Sequence, residues 1–189
     1  MNILSIATKC LFIVCIPALL LTASVAWAAN SHWLYQYGFE KYNISQTTGL
    51  ADSELDKAAT GLIDYFNSDE DYITVTVIKD GEPFALFNER EVGHLKDVKG
   101  LFRMDYYVLL GTLVYALGYA GVRLFWRRDR RQLAQGAAWG GGLTLALMIF
   151  LGLEALFNFE QFFLQFHLIS FANDLWLLDP AKDYLIMLF

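Results

Sequence analysis

Three long apolar runs constrain this chain more than any other feature of its sequence. The first, Ile3–Ala29, carries a single charge at Lys9, and the other two are Tyr106–Trp126 and Leu133–Phe157. A helix of about 20 apolar residues crosses the hydrocarbon core of a bilayer. Since 56% of all residues are also hydrophobic, the sequence predicts an α-helical transmembrane bundle, with spans over residues 1–29, 105–126 and 133–157.

The first run has a second interpretation. Ala26-Trp27-Ala28 resembles the small-residue cleavage site of a signal peptide. We favour a retained helix, because the other two runs offer partners against which it can pack. Pro17 should be tolerated in such a helix.

Residues 30–104 form a polar, acidic segment between the first two runs. Leu55, Leu62 and Phe66 recur at helical spacing after the capping-type residue Asp52. The stretch YITVTVIKDGEPFALF then alternates β-branched and polar residues around Asp80-Gly81, a pair that favours a tight hairpin turn. The segment is therefore predicted to be a small α+β domain.

Positive charge sets the expected orientation in the membrane. Arg127–Arg131 reads RRDRR, and basic loops remain on the cytoplasmic side. The loop 127–132 and the N-terminus are then inside, whereas residues 30–104 and 158–183 are extracytoplasmic. Within the third run, Gly140–Gly142 predicts close packing between helices.

The end of the chain is rich in aromatic residues. Residues 158–183 are predicted to form an interfacial or re-entrant segment with a turn at Asp179-Pro180, and Trp176 is interpreted as an interfacial anchor. Residues 184–189 resemble the start of a fourth span that is cut short.

Several classes of function are disfavoured. The formal net charge is −6, and no basic surface outside RRDRR argues for nucleic-acid binding. Cys10 and Cys15 are interpreted as buried apolar residues without a disulfide framework. The chain has no Gly-x-Ser-x-Gly elbow of a serine hydrolase. Its histidines and carboxylates lack the compact spacing of a metal site, so neither a metal nor a cofactor is predicted.

Two histidines are the strongest candidates for chemistry. His94 has Arg90 at i−4, Glu91 at i−3 and Asp97 at i+3, positions that share one surface of a helix. A neighbouring carboxylate fixes the tautomer of an imidazole and favours its protonated form.

The second candidate, His167, lies among phenylalanines, with Asn173 and Asp179 downstream. The predicted topology places His94 and His167 on the same side of the membrane. Two imidazoles in different environments can serve as an acid and a base. His32, which follows the first run, is interpreted as an interfacial residue.

Two stretches resemble the histidine motifs of a known family. NEREVGHLKDVKGLF, residues 88–102, and FHLISFANDLWLLDPAKDYLIMLF, residues 166–189, are similar to those of the lipoprotein intramolecular transacylases, Lit, which are bacterial four-span membrane proteins. The resemblance implies that the sn-2 acyl chain of a diacylglyceryl-cysteine lipoprotein moves to the lipoprotein's own N-terminal α-amine, giving the lyso form. It also implies catalytic roles for His94 and His167 and a location in the bacterial cytoplasmic membrane.

Under this hypothesis the partners are a diacylated lipoprotein and membrane lipids. One histidine would be the base and the other the acid or oxyanion partner, and either assignment is open. Asp97 is a candidate to orient His94, and Asn173 is a candidate donor. Arg90 and Asp179 are further supporting candidates. The alternative is a non-enzymatic subunit or assembly factor of a membrane protein complex.

Overall fold

The structure is a computed structural model that describes residues 3–189. Most of these residues are helical. The helices are α1 (Ile3–Ala29), α2 (His32–Lys41), α3 (Ile44–Thr48), α4 (Asp52–Asn67), α5 (Glu89–Gly121), α6 (Arg130–Phe157), α7 (Phe159–Ser170) and α8 (Tyr184–Leu188). Two strands, β1 (Thr76–Lys79) and β2 (Glu82–Ala85), form an antiparallel hairpin, and a π-helical turn, Val122–Trp126, follows α5.

The chain divides into two compact units, which are described separately. Unit 1 comprises Met1–Ala26 and Arg103–Phe166, and unit 2 comprises Trp27–Phe102 and His167–Phe189. Among the described residues 3–189, three helical segments are long and apolar enough to cross a membrane, namely Ile3–Ala29, Glu89–Trp126 and Arg130–Phe157. The prediction of three apolar spanning helices is confirmed.

Unit 1 contains a close approach between α1 and α6. A Cβ atom on Gly140 would lie 2.5 Å from Ile16 Cδ1, and one on Gly136 would lie 2.9 Å from Phe12 Cδ1. Small residues at such positions let two helices come together without a side chain between them. Of the predicted triplet, only Gly140 has this role, because a Cβ on Gly141 or Gly142 would meet open space.

Unit 2 is built around α4. Its apolar side chains recur at helical spacing and are buried together with residues from β1 and from α8. Full burial of a residue such as Leu62 contributes about 1.5–3 kcal/mol. The acidic residues Asp52 and Glu54 lie in its first turn, where they complement the positive end of the helix dipole. The helix predicted from Leu55, Leu62 and Phe66 is therefore confirmed.

The hairpin predicted at Asp80-Gly81 is also confirmed. The φ angle is 54° at Asp80 and 86° at Gly81, the positive values that a two-residue hairpin turn requires. The register pairs Lys79 with Glu82 and Ile78 with Pro83, so the backbones of Ile78 and Pro83 face outward. The Ile78 N–H donates to Glu54 Oε2 at 2.8 Å, and Pro83 has no N–H to leave unpaired.

Helix α5 begins within the polar segment, well before the apolar run. Asn88 Oδ1 accepts hydrogen bonds from the backbone N–H groups of Arg90 and Glu91, and Glu91 Oε2 accepts one from the N–H of Asn88 at 2.7 Å. This reciprocal arrangement is a capping box. It starts the helix at Glu89, so residues 89–104 form a polar portion of α5 ahead of the span predicted at 105–126.

Helix α6 begins earlier than the predicted third span. Asp129 accepts a hydrogen bond from the N–H of Gln132 at 3.1 Å, which caps the helix. Residues 130–132 are therefore helical rather than part of a loop. At the other end of the chain, Leu185 and Leu188 of α8 are buried in the core of unit 2. The start of a fourth span at 184–189 stays a prediction.

Candidate active site

Two buried imidazoles face each other in unit 2. His94 lies in the polar portion of α5 and His167 lies in the last turn of α7. Their ring centroids are 6.0 Å apart, and their exposed fractions are 6% and 7%. The structure thus brings together two histidines that are separated by more than seventy residues in the sequence.

Aromatic rings enclose the pair. Phe171 lies edge-on to His94 with a centroid separation of 4.9 Å and is 5.5 Å from His167. Trp176 lies on the other imidazole, 4.9 Å from the centroid of His167. The interpretation of Trp176 as an interfacial anchor is wrong, because it is only 8% exposed and packs on His167.

Burial controls the protonation of His94. It lowers the pKa of this imidazole from 6.5 to about 4, with a further lowering by the charge of His167 and an opposing effect of Asp97. Desolvation disfavours the charged form of a buried base. His94 is therefore neutral at pH 7 and has a lone pair with which to accept a proton.

The carboxylate expected to orient His94 is engaged elsewhere. Asp97 Oδ2 accepts a hydrogen bond from Asn173 Nδ2 at 2.8 Å. Within residues 3–189, the buried Nδ1 of His94 has no hydrogen-bond partner. Asp97 acts on His94 through its charge, and packing against Phe171 and His167 holds the ring in place.

The other predicted residues divide into two groups. Arg90 Nη2 donates to the carbonyl oxygen of Asp174 at 2.7 Å, so Arg90, like the Asp97–Asn173 pair, joins α5 to the segment after α7. Asp179 instead accepts a hydrogen bond from the N–H of Ala181 and forms an ion pair with Lys182. Its contacts stabilise its own turn.

His32, the third histidine, contacts other residues than His94 and His167. Its Nε2 lies 3.3 Å from Asp56 Oδ1 and 3.2 Å from Thr60 Oγ1. It therefore links α2 to α4, a contact that the interfacial interpretation missed. Among residues 3–189, no group of three or more His, Cys, Asp or Glu side chains is arranged to hold a metal ion.

Glu91 is a buried residue whose role the sequence analysis missed. Its Oε1 accepts a hydrogen bond from the backbone N–H of Leu185 at 2.6 Å, in addition to the bond from Asn88. Asn88 Nδ2 donates to Asp183 Oδ1 at 2.8 Å. The signal for the capping contact was the Asn88-x-x-Glu91 spacing, but the contact with Leu185 is too distant in sequence to predict.

The paired imidazoles can move protons at one reacting centre. Comparison with known families shows the family to which the chain belongs. The sequence profile described as lipoprotein intramolecular transacylase Lit matches residues 10–189. The chain belongs to the Lit family. Lit proteins are transacylases, which are transferases. No curated protein is significantly similar to the chain in sequence.

Solved structures agree with this assignment. The membrane integral lipoprotein intramolecular transacylase Lit from Bacillus cereus is 25% identical, with a TM-score of 0.75 over 96% of this chain and 78% of that chain. A histidine-to-arginine variant is 23% identical, with a TM-score of 0.73 and coverages of 96% and 76%. A histidine-to-alanine variant is 24% identical, with a TM-score of 0.69 and coverages of 98% and 81%. The likeness to these two variants concerns the fold, and the chain is a multi-pass membrane protein of the Lit type.

Proposed function

We propose that this protein moves an acyl chain within a bacterial lipoprotein, from the sn-2 oxygen of the diacylglyceryl group to the α-amine of the same N-terminal cysteine. The observation that carries the proposal is the buried His94–His167 pair, with ring centroids 6.0 Å apart, in a chain of a transacylase family. The product is a lyso-form lipoprotein with an amide and a free glyceryl hydroxyl.

The reaction needs proton transfer but no enzyme nucleophile. The neutral α-amine attacks the sn-2 ester carbonyl, and a C–N bond forms. Collapse of the tetrahedral intermediate then breaks the bond between the carbonyl carbon and the glyceryl oxygen. One proton leaves the nitrogen and one reaches the departing oxygen, so the overall change is an isomerisation in which no water is consumed.

We assign the base role to His94 and the acid role to His167. Burial keeps His94 neutral at pH 7, so its lone pair can take the proton that the attacking nitrogen loses. General acid–base catalysis of this kind contributes about 10²–10⁴-fold to rate. His167 would protonate the glyceryl oxygen, and return of the proton from His94 to His167 would reset the pair.

Positioning would contribute the rest of the acceleration. The amine and the ester belong to one substrate molecule, so holding them in contact is worth up to about 7–11 kcal/mol in favourable intramolecular reactions. The rings of Phe171 and Trp176 exclude water from the imidazoles. Exclusion of water favours acyl transfer over hydrolysis of the ester.

The proposed location is the bacterial cytoplasmic membrane. The basic loop around RRDRR supports a cytoplasmic placement for residues 127–132. Residues 30–104 and 158–183 would then be extracytoplasmic.

The test is to find where the acyl chains lie. The protein is expressed in a strain whose lipoproteins are diacylated with a free amine, and the N-terminal lipopeptide is analysed by tandem mass spectrometry. Because migration leaves the total mass unchanged, fragmentation must show one chain on nitrogen. We expect amide formation with the natural chain, and a loss of at least about 100-fold with His94→Ala or His167→Ala.

His32→Ala is the matched control, since this third histidine contacts Asp56 rather than the pair. It should retain full amide formation. Release of free fatty acid with no amide would instead indicate a hydrolase. Full activity of both His94→Ala and His167→Ala, or a wild-type protein that leaves lipoproteins unchanged, would exclude the proposed mechanism.

A further inference from the structure

We propose that Gly93 is a positioning residue, which sets the separation of the two imidazoles by letting Leu175 dock against α5 beside His94. The inference deepens the proposed function and depends on it for its catalytic consequence. Its structural consequence can be tested without any acyl transfer.

One face of α5 holds the segment that follows α7. The four residues concerned are spaced at i, i+3, i+4 and i+7, which places them in one row along a helix: Arg90, Gly93, His94 and Asp97. Arg90 donates to the carbonyl of Asp174 at 2.7 Å, and Asp97 accepts from Asn173 at 2.8 Å. The two polar contacts lie at the two ends of the row.

Gly93 and His94 occupy the middle of that row. A Cβ atom on Gly93 would lie 2.9 Å from Leu175 Cδ1, closer than a carbon–carbon contact allows. A side chain at this position would force the end of the Leu175 side chain to move away from the helix. The polar contacts hold the segment after α7 against α5. Because Gly93 has no side chain, Leu175 can lie close to the helix.

The position of Leu175 is coupled to both imidazoles. Trp176, the next residue, packs on His167 with a centroid separation of 4.9 Å. Phe171 donates its N–H to the carbonyl of His167 at 2.9 Å and its ring covers His94. Asn173 Oδ1 accepts from the N–H of Leu175 at 3.0 Å, so the segment moves as a connected turn. Displacement of Leu175 would loosen the packing on His167 and expose His94.

The experiment compares Gly93→Ala with the double variant Gly93→Ala/Leu175→Ala, in which the shortened side chain makes room for the new methyl group. Gly100→Ala is the matched control, because it lies in the polar portion of the same helix and its Cβ would meet nothing within 4 Å. Leu175→Ala alone shows how much loss of the leucine side chain changes the His94 pKa and the rate of amide formation. The first measurement is the pKa of His94 by NMR of histidine-labelled protein in detergent, and the second is the rate of amide formation.

We expect Gly93→Ala to raise the pKa of His94 from about 4 toward its ordinary value, because the ring becomes less buried. The rate should fall by about 10–100-fold, the scale of a misplacement of about 1 Å. The double variant should recover both values at least to those of Leu175→Ala, and Gly100→Ala should match the natural chain.

A Gly93→Ala protein with an unchanged His94 pKa would overturn the inference, as would a double variant that recovers neither value. If Gly93→Ala does not fold, recovery of the melting temperature in the double variant becomes the measurement, and absence of recovery counts against the inference. If the natural chain forms no amide, the proposed function fails, whereas the pKa comparison still decides the role of Gly93.

Discussion

Glu91 and Leu185 are joined by a hydrogen bond of 2.6 Å, in which the backbone N–H of Leu185 donates to Oε1 of the carboxylate. The other oxygen of Glu91 caps the start of α5 at Asn88. Glu91 is 1% exposed and precedes His94 by about one turn of the helix. One buried carboxylate therefore connects α8 to the helix that carries a candidate catalytic histidine.

Replacing Glu91 by Gln should destabilise the protein. The carboxamide has one oxygen, so it can accept from Leu185 or from Asn88 but presents an N–H₂ group to the other donor. A buried donor left without an acceptor costs about 1–3 kcal/mol. The measurement is thermal unfolding in detergent. Glu89→Gln is the control, because Glu89 is exposed in the first turn of the same helix. Equal melting temperatures for the two variants would contradict this account.

Comparing the natural chain with Glu91→Gln also gives a prediction about the pH dependence of stability. Burial raises the pKa of Glu91 above 4.5, with hydrogen bonds from Leu185 and Asn88 opposing the shift and the charge of Asp183 adding to it. The folded state therefore binds this proton more tightly than the unfolded state. Its contribution to stability is complete below about pH 4.5 and is lost as the pH rises through the folded pKa.

The melting temperature of the natural chain, relative to that of Glu91→Gln, should accordingly be highest near pH 4.5 and decline toward pH 7. Glu91→Gln has no group to titrate at this position. Thermal unfolding of both proteins across this range provides the comparison. A difference that grows with pH would show that the Glu91 pKa is lowered rather than raised.

The pH dependence of acyl transfer should report the substrate amine rather than His94. With a pKa of about 4, His94 stays neutral throughout the range in which the amine titrates. An α-amine has a pKa of about 8, so below that pH the rate should increase with pH in proportion to the neutral amine. A stopped assay with a synthetic diacylated lipopeptide measures this profile. An inflection near pH 6.5 that disappears in His94→Ala would contradict the neutral, buried state of His94.

Removing the ring of Trp176 should impair catalysis. The indole packs on His167, and aromatic pairs of this kind contribute about 0.5–1.5 kcal/mol beyond their buried area. Trp176→Ala should lower the rate of amide formation by up to about tenfold, and Trp176→Phe should recover most of it. Trp33→Ala provides a comparison, since Trp33 is 63% exposed on α2. Equal rates for Trp176→Ala and Trp33→Ala would show that the ring does not support His167.

Adjacent glycines of α6 should respond differently to alanine. At Gly140 the new Cβ would lie 2.5 Å from Ile16 Cδ1 and 2.8 Å from Ile16 Cβ, whereas at Gly141 it would meet open space. Gly140→Ala should destabilise unit 1 by about 1–3 kcal/mol, the usual cost of overpacking. Gly141→Ala should be neutral or slightly stabilising, because alanine favours helix. Thermal unfolding in detergent distinguishes them, and a lower melting temperature for Gly141→Ala would contradict the assigned contact.

Local patterns predicted much of the fold. Asp80-Gly81 predicted the hairpin because its turn needs positive φ at adjacent residues, and the spacing of Leu55, Leu62 and Phe66 predicted α4. The start of α5 was harder to place. Its polar portion gains stability from contacts with residues near Leu185, and these contacts leave no periodic pattern in residues 88–104.

The candidate site was predictable only at its centre. The motifs around His94 and His167 identified both imidazoles, but their surroundings depend on tertiary contacts. The aromatic content of the segment around Trp176 is the same whether the tryptophan faces lipid or is buried. Only the tertiary structure shows that it is buried. Asp97 likewise lies one helical turn from His94, yet its hydrogen bond goes to Asn173, 76 positions later.

At the paired positions Ile78 and Pro83, the hairpin has no backbone N–H available to a further strand. The Ile78 N–H already donates to Glu54, and Pro83 has no N–H. A peptide adding to either edge as a third strand would lose main-chain hydrogen bonds there. If the substrate is a lipoprotein, as proposed, we expect that the polypeptide after its cysteine does not extend the sheet at Ile78 or Pro83.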